Sequence, residues 1–209
     1  MEKAHELHTG VHTHLAETAK EVEQLLHEEG LRPVQYANEL GLFDVPGGCV
    51  SAHTLFVDQD DIAILAEKNV HVAHCPITYG RLGYNDCPSL TSSLEAGVQV
   101  SLATDGPTSN ATLDMFAVMR EAVLLRRSIE GSPAFLSDDR SLRLATQAGA
   151  KALRFPGSGA LQEGAPADLI LVNIDVPHMR PKHNLAANLI YSAKGSDVID
   201  VMVEGEWLM

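Results

Sequence analysis

The chain has 209 residues, 45% of them hydrophobic, which is enough to bury a core and excludes disorder, a collagen-like repeat and a small disulfide scaffold. Fifteen Lys and Arg against 28 Asp and Glu leave a formal charge of −13, so nucleic acid is not an expected partner. There is no run of about 18 apolar residues and no signal-like apolar stretch behind Met1, so no membrane partner and a cytoplasmic location are expected, with Cys49, Cys75 and Cys87 as buried free thiols.

Taken in chain order, short β-like runs at 10–14, 49–53, 70–74 and 98–105 alternate with segments of helical spacing. The first helix is predicted over 17–29, with Val22, Leu25 and Leu26 on one stripe and Gly30 as its stop. Asp58 reads as the cap of a helix carrying Ile62, Leu65 and Ala66. Helices are also predicted over 88–96, ended by Gly97, and over 112–128, where Leu113, Phe116, Met119, Val123 and Leu124 form a core-facing stripe. Such alternation is the pattern of a parallel sheet built from βα units. Ser137, Asp138 and Asp139 open a further helix expected to run to Leu153, its first turn carrying the negative charge that the helix dipole favours. Gly157-Ser158-Gly159 then breaks the chain, 168–172 and 198–203 read as strands, and 176–184, with two prolines, reads as loop. Two domains are expected, 1–157 and 158–209, the second a small β segment.

Each of the four early β runs ends in a polar residue: His14, His53, His74 and Asp105. In a barrel of parallel strands the C-terminal strand ends converge on one mouth, where polar residues are candidates for chemistry. Imidazole nitrogen and carboxylate oxygen are groups that a catalytic zinc accepts. Glu17 stands three residues past His14, where a carboxylate suits a proton shuttle. His71 lies inside a strand and His5, His8 and His27 on helix-like stretches; all four read as solvated. His178 and His183 fall in the proline-containing loop with no identifiable partner.

The series His12-Thr13-His14-Leu15-Ala16-Glu17-Thr18, Ala52-His53, Val72-Ala73-His74-Cys75-Pro76 and Ala103-Thr104-Asp105-Gly106, with Ser109-Asn110 after it, resembles the strand-end motifs of the amidohydrolase superfamily. The branch it looks like contains the S-adenosylhomocysteine and methylthioadenosine deaminases and the triazine hydrolases. Gly159-Ala160-Leu161 through Asp168, and later Val203-Glu204-Gly205, resemble the small β domain that closes such chains. The resemblance implies an α/β fold, the C-terminal half of a (β/α)8 TIM barrel comprising strands 5 to 8, plus part of that β domain. His12-Thr13-His14 is the one His-x-His, and its continuation fits the fifth strand better than the first. A first-strand His-x-His is therefore absent, and the activity of this chain alone is left open.

The same resemblance implies that His14 and Asp105 bind the metal, zinc or alternatively iron(II). It implies that Glu17, His53 and Asp105 are catalytic: Glu17 moves protons to the substrate ring, His53 orients the attacking water and Asp105 takes its proton. Zinc lowers the pKa of bound water to about 7, so the implied reaction is hydrolytic deamination of an aminopurine-type ring, a small heterocyclic substrate, by a homo-oligomer. His74 matches a family position usually followed by Asn-Pro and a Ser-Asn pair, whereas Cys75-Pro76-Ile77-Thr78-Tyr79 follows here. Hydrolysis of chloride or an alkylamine from a triazine is an alternative. So is a catalytically silent partial barrel serving assembly.

Overall fold

A computed structural model describes residues 1–84 and 89–209, Ser89 by its backbone alone. Cys87 and Pro88, which the sequence reading placed among the free thiols and at a helix start, lie outside the described residues. The elements follow in chain order as α1 (Glu2–Glu6), β1 (Val11–Leu15), α2 (Ala19–Glu28), α3 (Pro33–Glu39), β2 (Cys49–His53), α4 (Gln59–Glu67), β3 (His71–His74), α5 (Pro76–Leu82), α6 (Ser89–Glu95), β4 (Gln99–Leu102), α7 (Pro107–Asn110), α8 (Met115–Glu130), α9 (Asp138–Ala145), α10 (Gln147–Ala152), β5 (Leu169–Val172), α11 (Leu185–Tyr191), β6 (Val198–Val203) and β7 (Glu206–Trp207). They form two compact units, one of residues 1–75 and 83–101, the other of 76–82 and 102–209.

The first unit is built on a sheet in the order β1-β2-β3-β4. β1 and β2 run parallel with His14 opposite Ala52 and Leu15 opposite His53, and β2 and β3 run parallel with Val50 opposite His71. β3 is buried at every residue, as expected of a strand covered on both faces. That double cover buries His71, to 6% exposure, and overturns its reading as a solvated residue; His5, His8 and His27 are exposed as expected. Leu15, Val34, Phe43, Ile62, Leu65, Val70, Val72, Leu90, Val98 and Val100 make the core against which the helices pack.

Asp58 caps α4 as expected, accepting from Asp61 N–H at 2.9 Å while the Asp61 carboxylate accepts from Asp58 N–H at 3.1 Å. Arg32 Nε donates to Asp61 at 2.6 Å and its Nη2 to Phe56 O at 2.6 Å, tying α3, which the sequence reading missed, to α4. Asp61 is fully buried. Desolvation raises its carboxyl above the ordinary range, and the bond to Arg32 opposes that rise. Gly47 is required where the chain passes the start of β1: a Cβ there would stand 1.7 Å from Gly10 N.

In the second unit, α8 starts at Asp114, which accepts from Phe116 N–H, and stops at Gly131 in the left-handed conformation. It buries Phe116, Val118, Met119, Ala122, Val123 and Arg126. Arg120 donates to Tyr191 O at 3.0 Å and Ala193 O at 2.6 Å, so α8 is tied to the last residue of α11 and to the chain just beyond it. Ser137 caps α9 as expected. The helix predicted to run on to Leu153 breaks at Thr146, φ −123° and ψ −84°, into α9 and α10. β5, β6 and β7 form an antiparallel sheet with Leu169 opposite Met202 and Met202 opposite Trp207. The 176–184 loop holds a 3-10 turn at Pro177–Met179, and His178 does have a partner there, Asp197 Oδ2 at 2.9 Å.

The expected placement of the parallel strands as the fifth to eighth of a barrel's C-terminal half needs correction. They are the first four strands of the chain, lie between residues 11 and 102 in its N-terminal half, and form one four-stranded sheet. After β4 the chain turns to helices and an antiparallel sheet, which supply no further parallel partner among the described residues.

Candidate active site

Glu17 sits on a turn that is locally enforced. Beyond β1 the chain passes through Ala16 at φ +51°, a left-handed conformation that a residue with a Cβ adopts only when its surroundings impose it. Glu21, in the first turn of α2, imposes it: Oε1 accepts from Ala16 N–H and Oε2 from Glu17 N–H, both at 2.8 Å. Thr18 caps α2 by accepting from Glu21 N–H. Both oxygens of one carboxylate thus fix the two peptides that present the Glu17 side chain.

His53 ends β2 at φ +69°, and Thr54 follows at φ +53°. Strain of this kind costs on the order of 1–3 kcal/mol per residue and collects at functional positions. Three backbone bonds hold it in place, from Thr54 N–H to Leu15 O and from Leu55 and Phe56 N–H to Ala16 O, each 3.0 Å. The consequence is a grouping of three expected residues. The His14 and His53 rings stack at 5.2 Å and 25°, and His53 Nε2 lies 3.7 Å from Glu17 Oε1. His53 is 2% exposed, whereas the Glu17 side chain is 29% exposed, so the carboxylate faces outward from a buried imidazole. Tyr84 is in the same unit, its phenol pushed up by burial and then by the charge of Glu17, and its ring meets Phe56 edge-on at 6.2 Å. His74 ends β3 and is buried to 2% exposure.

Asp105 belongs to the second unit, three residues beyond β4, and also has a positive φ, +62°. Gly106 N–H donates to its Oδ1 at 2.5 Å and the Thr78 hydroxyl to its Oδ2 at 2.9 Å. Glu21, Thr78 and Tyr84 are site neighbours that sequence reasoning missed. For Glu21 a signal existed, the Thr-x-x-Glu spacing of a capping box at Thr18 and Glu21.

His14 and Asp105 have donor chemistry that zinc accepts. Yet no group of three or more His, Cys, Asp or Glu among the described residues is arranged to hold a metal ion. The donors among the described residues do not make a complete metal centre. Cys49 and Cys75 are buried and in no disulfide, as expected, and burial raises the Cys49 thiol to about 11.

His14, His53 and His74 stand at the ends of parallel strands and Asp105 three residues beyond β4, and comparison with known proteins identifies the family. The chain belongs to the amidohydrolase family, whose family model matches residues 1–208. The match runs through the whole chain, which corrects the expectation of a resemblance to a C-terminal half alone. The 5-methylthioadenosine/S-adenosylhomocysteine deaminase of Dictyoglomus thermophilum is 44% identical over 209 residues, 100% of this chain and 48% of that protein. A zinc-bound adenosine deaminase from Xanthomonas campestris superposes with TM-score 0.91 at 33% identity, covering 99% of this chain and 46% of the other. The zinc complex of atrazine chlorohydrolase from Arthrobacter aurescens gives TM-score 0.90 at 27% identity, covering 99% and 45%. The chain spans about half the length of the curated relatives it matches. No described helix is long and apolar enough to cross a membrane.

Proposed function

We propose that the chain carries the proton-transfer side of a hydrolytic deaminase acting on an aminopurine-type ring, such as S-adenosylhomocysteine or an adenine nucleoside. The observation that carries this reading is the 3.7 Å approach of Glu17 Oε1 to His53 Nε2, beside the stacked His14 ring. An acid able to protonate a ring nitrogen and an imidazole able to orient water thereby address one small region. Water adds to the carbon bearing the amino group, and Asp105 accepts the proton that water loses. Glu17, as the carboxylic acid, protonates the neighbouring ring nitrogen; as the carboxylate it then takes the proton of the added hydroxyl and passes it to the departing amino group, and the proton held by Asp105 returns through solvent to restore the Glu17 acid. The C–N bond breaks, ammonia leaves and a ring carbonyl remains. The logic is that of general acid–base catalysis by positioned carboxylates.

His14 and Asp105 are proposed as two donors toward zinc, with iron(II) the alternative. Among the described residues no group of three His, Cys, Asp or Glu is arranged to hold the ion. The similarity to deaminases of 44% identity and to a zinc-bound adenosine deaminase supports substrate class and metal. The homo-oligomer, the absence of a nucleic-acid partner and the division into domains 1–157 and 158–209 are parts of the same proposal. A second reading, displacement of a halide or alkylamine from a triazine, is supported by the likeness to atrazine chlorohydrolase.

The test is ammonia release from S-adenosylhomocysteine, 5-methylthioadenosine and adenosine by the purified protein supplied with zinc. The proposal expects ammonia in equal amount to the inosine-type product. Chloride release from atrazine with no ammonia from any purine would favour the second reading.

A further inference from the structure

Helix α5 carries none of the residues assigned above to the reaction, yet one of its faces is committed to the segment after β4. Thr78 and Arg81 are three residues apart and so lie on the same face of the helix. Thr78 is 1% exposed, and its hydroxyl donates to Asp105 Oδ2 at 2.9 Å. Arg81, one turn on, donates from Nη1 to Thr108 O at 3.3 Å and Ser109 O at 2.7 Å. Gly106 N–H donates to Asp105 Oδ1 at 2.5 Å, and Asn110 Nδ2 to Thr104 O at 2.5 Å. The backbone of the segment is therefore pinned on both sides of Asp105. The bond from Thr78 falls on the carboxylate itself.

A carboxylate held at one oxygen still turns about χ2, a broad two-fold torsion. A second bond on the other oxygen stops that rotation and sets the plane in which the group accepts a proton. We infer that Thr78 is the positioning residue for Asp105, its hydroxyl fixing the orientation of the carboxylate that takes the proton from water. This inference rests on the proposed deamination for its chemistry, and on Thr78–Asp105 geometry alone for the orientation. Chemistry of this kind is sensitive to placement, a shift of about 1 Å costing up to about 100-fold in rate.

The test compares Thr78→Val with Thr78→Ser in isotope-labelled protein, reading the Asp105 carboxyl carbon and Gly106 amide resonances together with kcat and KM for ammonia release. Val keeps the shape and removes the hydroxyl; Ser keeps the hydroxyl. The expected result is that Val moves both resonances and lowers kcat about 10- to 100-fold with KM unchanged, while Ser restores both. Should Val prevent folding, Thr78→Ala gives the same readings. Unmoved Asp105 and Gly106 resonances in the Val protein would overturn the inference. So would a lowered melting temperature with kcat intact. Resonances that move with Val and return with Ser, in a protein whose wild type releases no ammonia, would uphold the positioning and reject the deaminase reading.

Discussion

The carboxylate of Glu21 holds two backbone amides, and through them the turn that presents Glu17. Two predictions follow from that division of labour. Glu17→Gln keeps the turn and removes the proton-carrying group, so ammonia release should fall by about 10²–10⁴-fold with the circular dichroism spectrum unchanged. Glu21→Ala leaves Glu17 chemically intact but frees two amides and the strained Ala16. It should cost about 1–3 kcal/mol in urea unfolding and lower kcat as well, whereas an unchanged kcat would show that the turn does not govern Glu17. His14, Glu17 and His53 were legible in the sequence because polar residues at the ends of apolar runs stand out. Glu21 was signalled by the Thr-x-x-Glu spacing at Thr18, but its bonds to the turn at Ala16, and the bond of Thr78 to Asp105, were not, because residue type does not announce left-handed turns. His71 misled for the opposite reason: its polarity suggested solvent, and its place in a strand covered on both faces buried it.

Two helix starts were read at the residue whose side chain makes the cap. Asp58 caps α4 and Ser137 caps α9, both at the expected residue, because a short oxygen-bearing side chain before an apolar stripe is a local signal. Asp58→Ala should therefore cost about 1 kcal/mol in urea unfolding. The break at Thr146 and the helix α11 depend on packing instead. Gly159, at φ +89°, comes so close to Gln147 that a Cβ there would stand 2.7 Å from Gln147 Cα, and α11 is held by Arg120 from a helix about 70 residues earlier. Neither constraint is visible in a window of local sequence. Arg32 is a further long-range tie. Arg32→Met leaves the fully buried Asp61 without its guanidinium and should destabilise by about 3 kcal/mol, read as a lower urea midpoint; a change below about 0.5 kcal/mol would show that Asp61 gains little from the pair.

At the scale of the whole chain, acid should weaken the fold at three tethered carboxylates. The Asp168 carboxyl is held below the ordinary carboxylate range by Glu204 N–H and then Ser158, Asp175 chiefly by Lys182, and Asp197 chiefly by His178. Each binds its proton less readily folded than unfolded, so each stabilises above the unfolded value near 3.8 and loses that contribution as pH falls through the lower folded value. Melting temperature should fall as pH drops below about 4, and His178→Ala should remove the part that Asp197 contributes; a flat profile from pH 7 to 3 would contradict this. At this scale the alternation of strand and helix was legible, and so was the family, since motif order survives where individual spacings drift. The position of the parallel strands was misread because their number was taken from the family's barrel, not from the chain itself. In the proposed deamination Glu17 is the proton carrier. The most direct measurement of that role is ammonia release from S-adenosylhomocysteine by a chimera in which these 209 residues replace the matched 48% of the Dictyoglomus thermophilum deaminase. Turnover with Glu17 present, and none above background after Glu17→Gln, is the predicted result; equal turnover by both would contradict it.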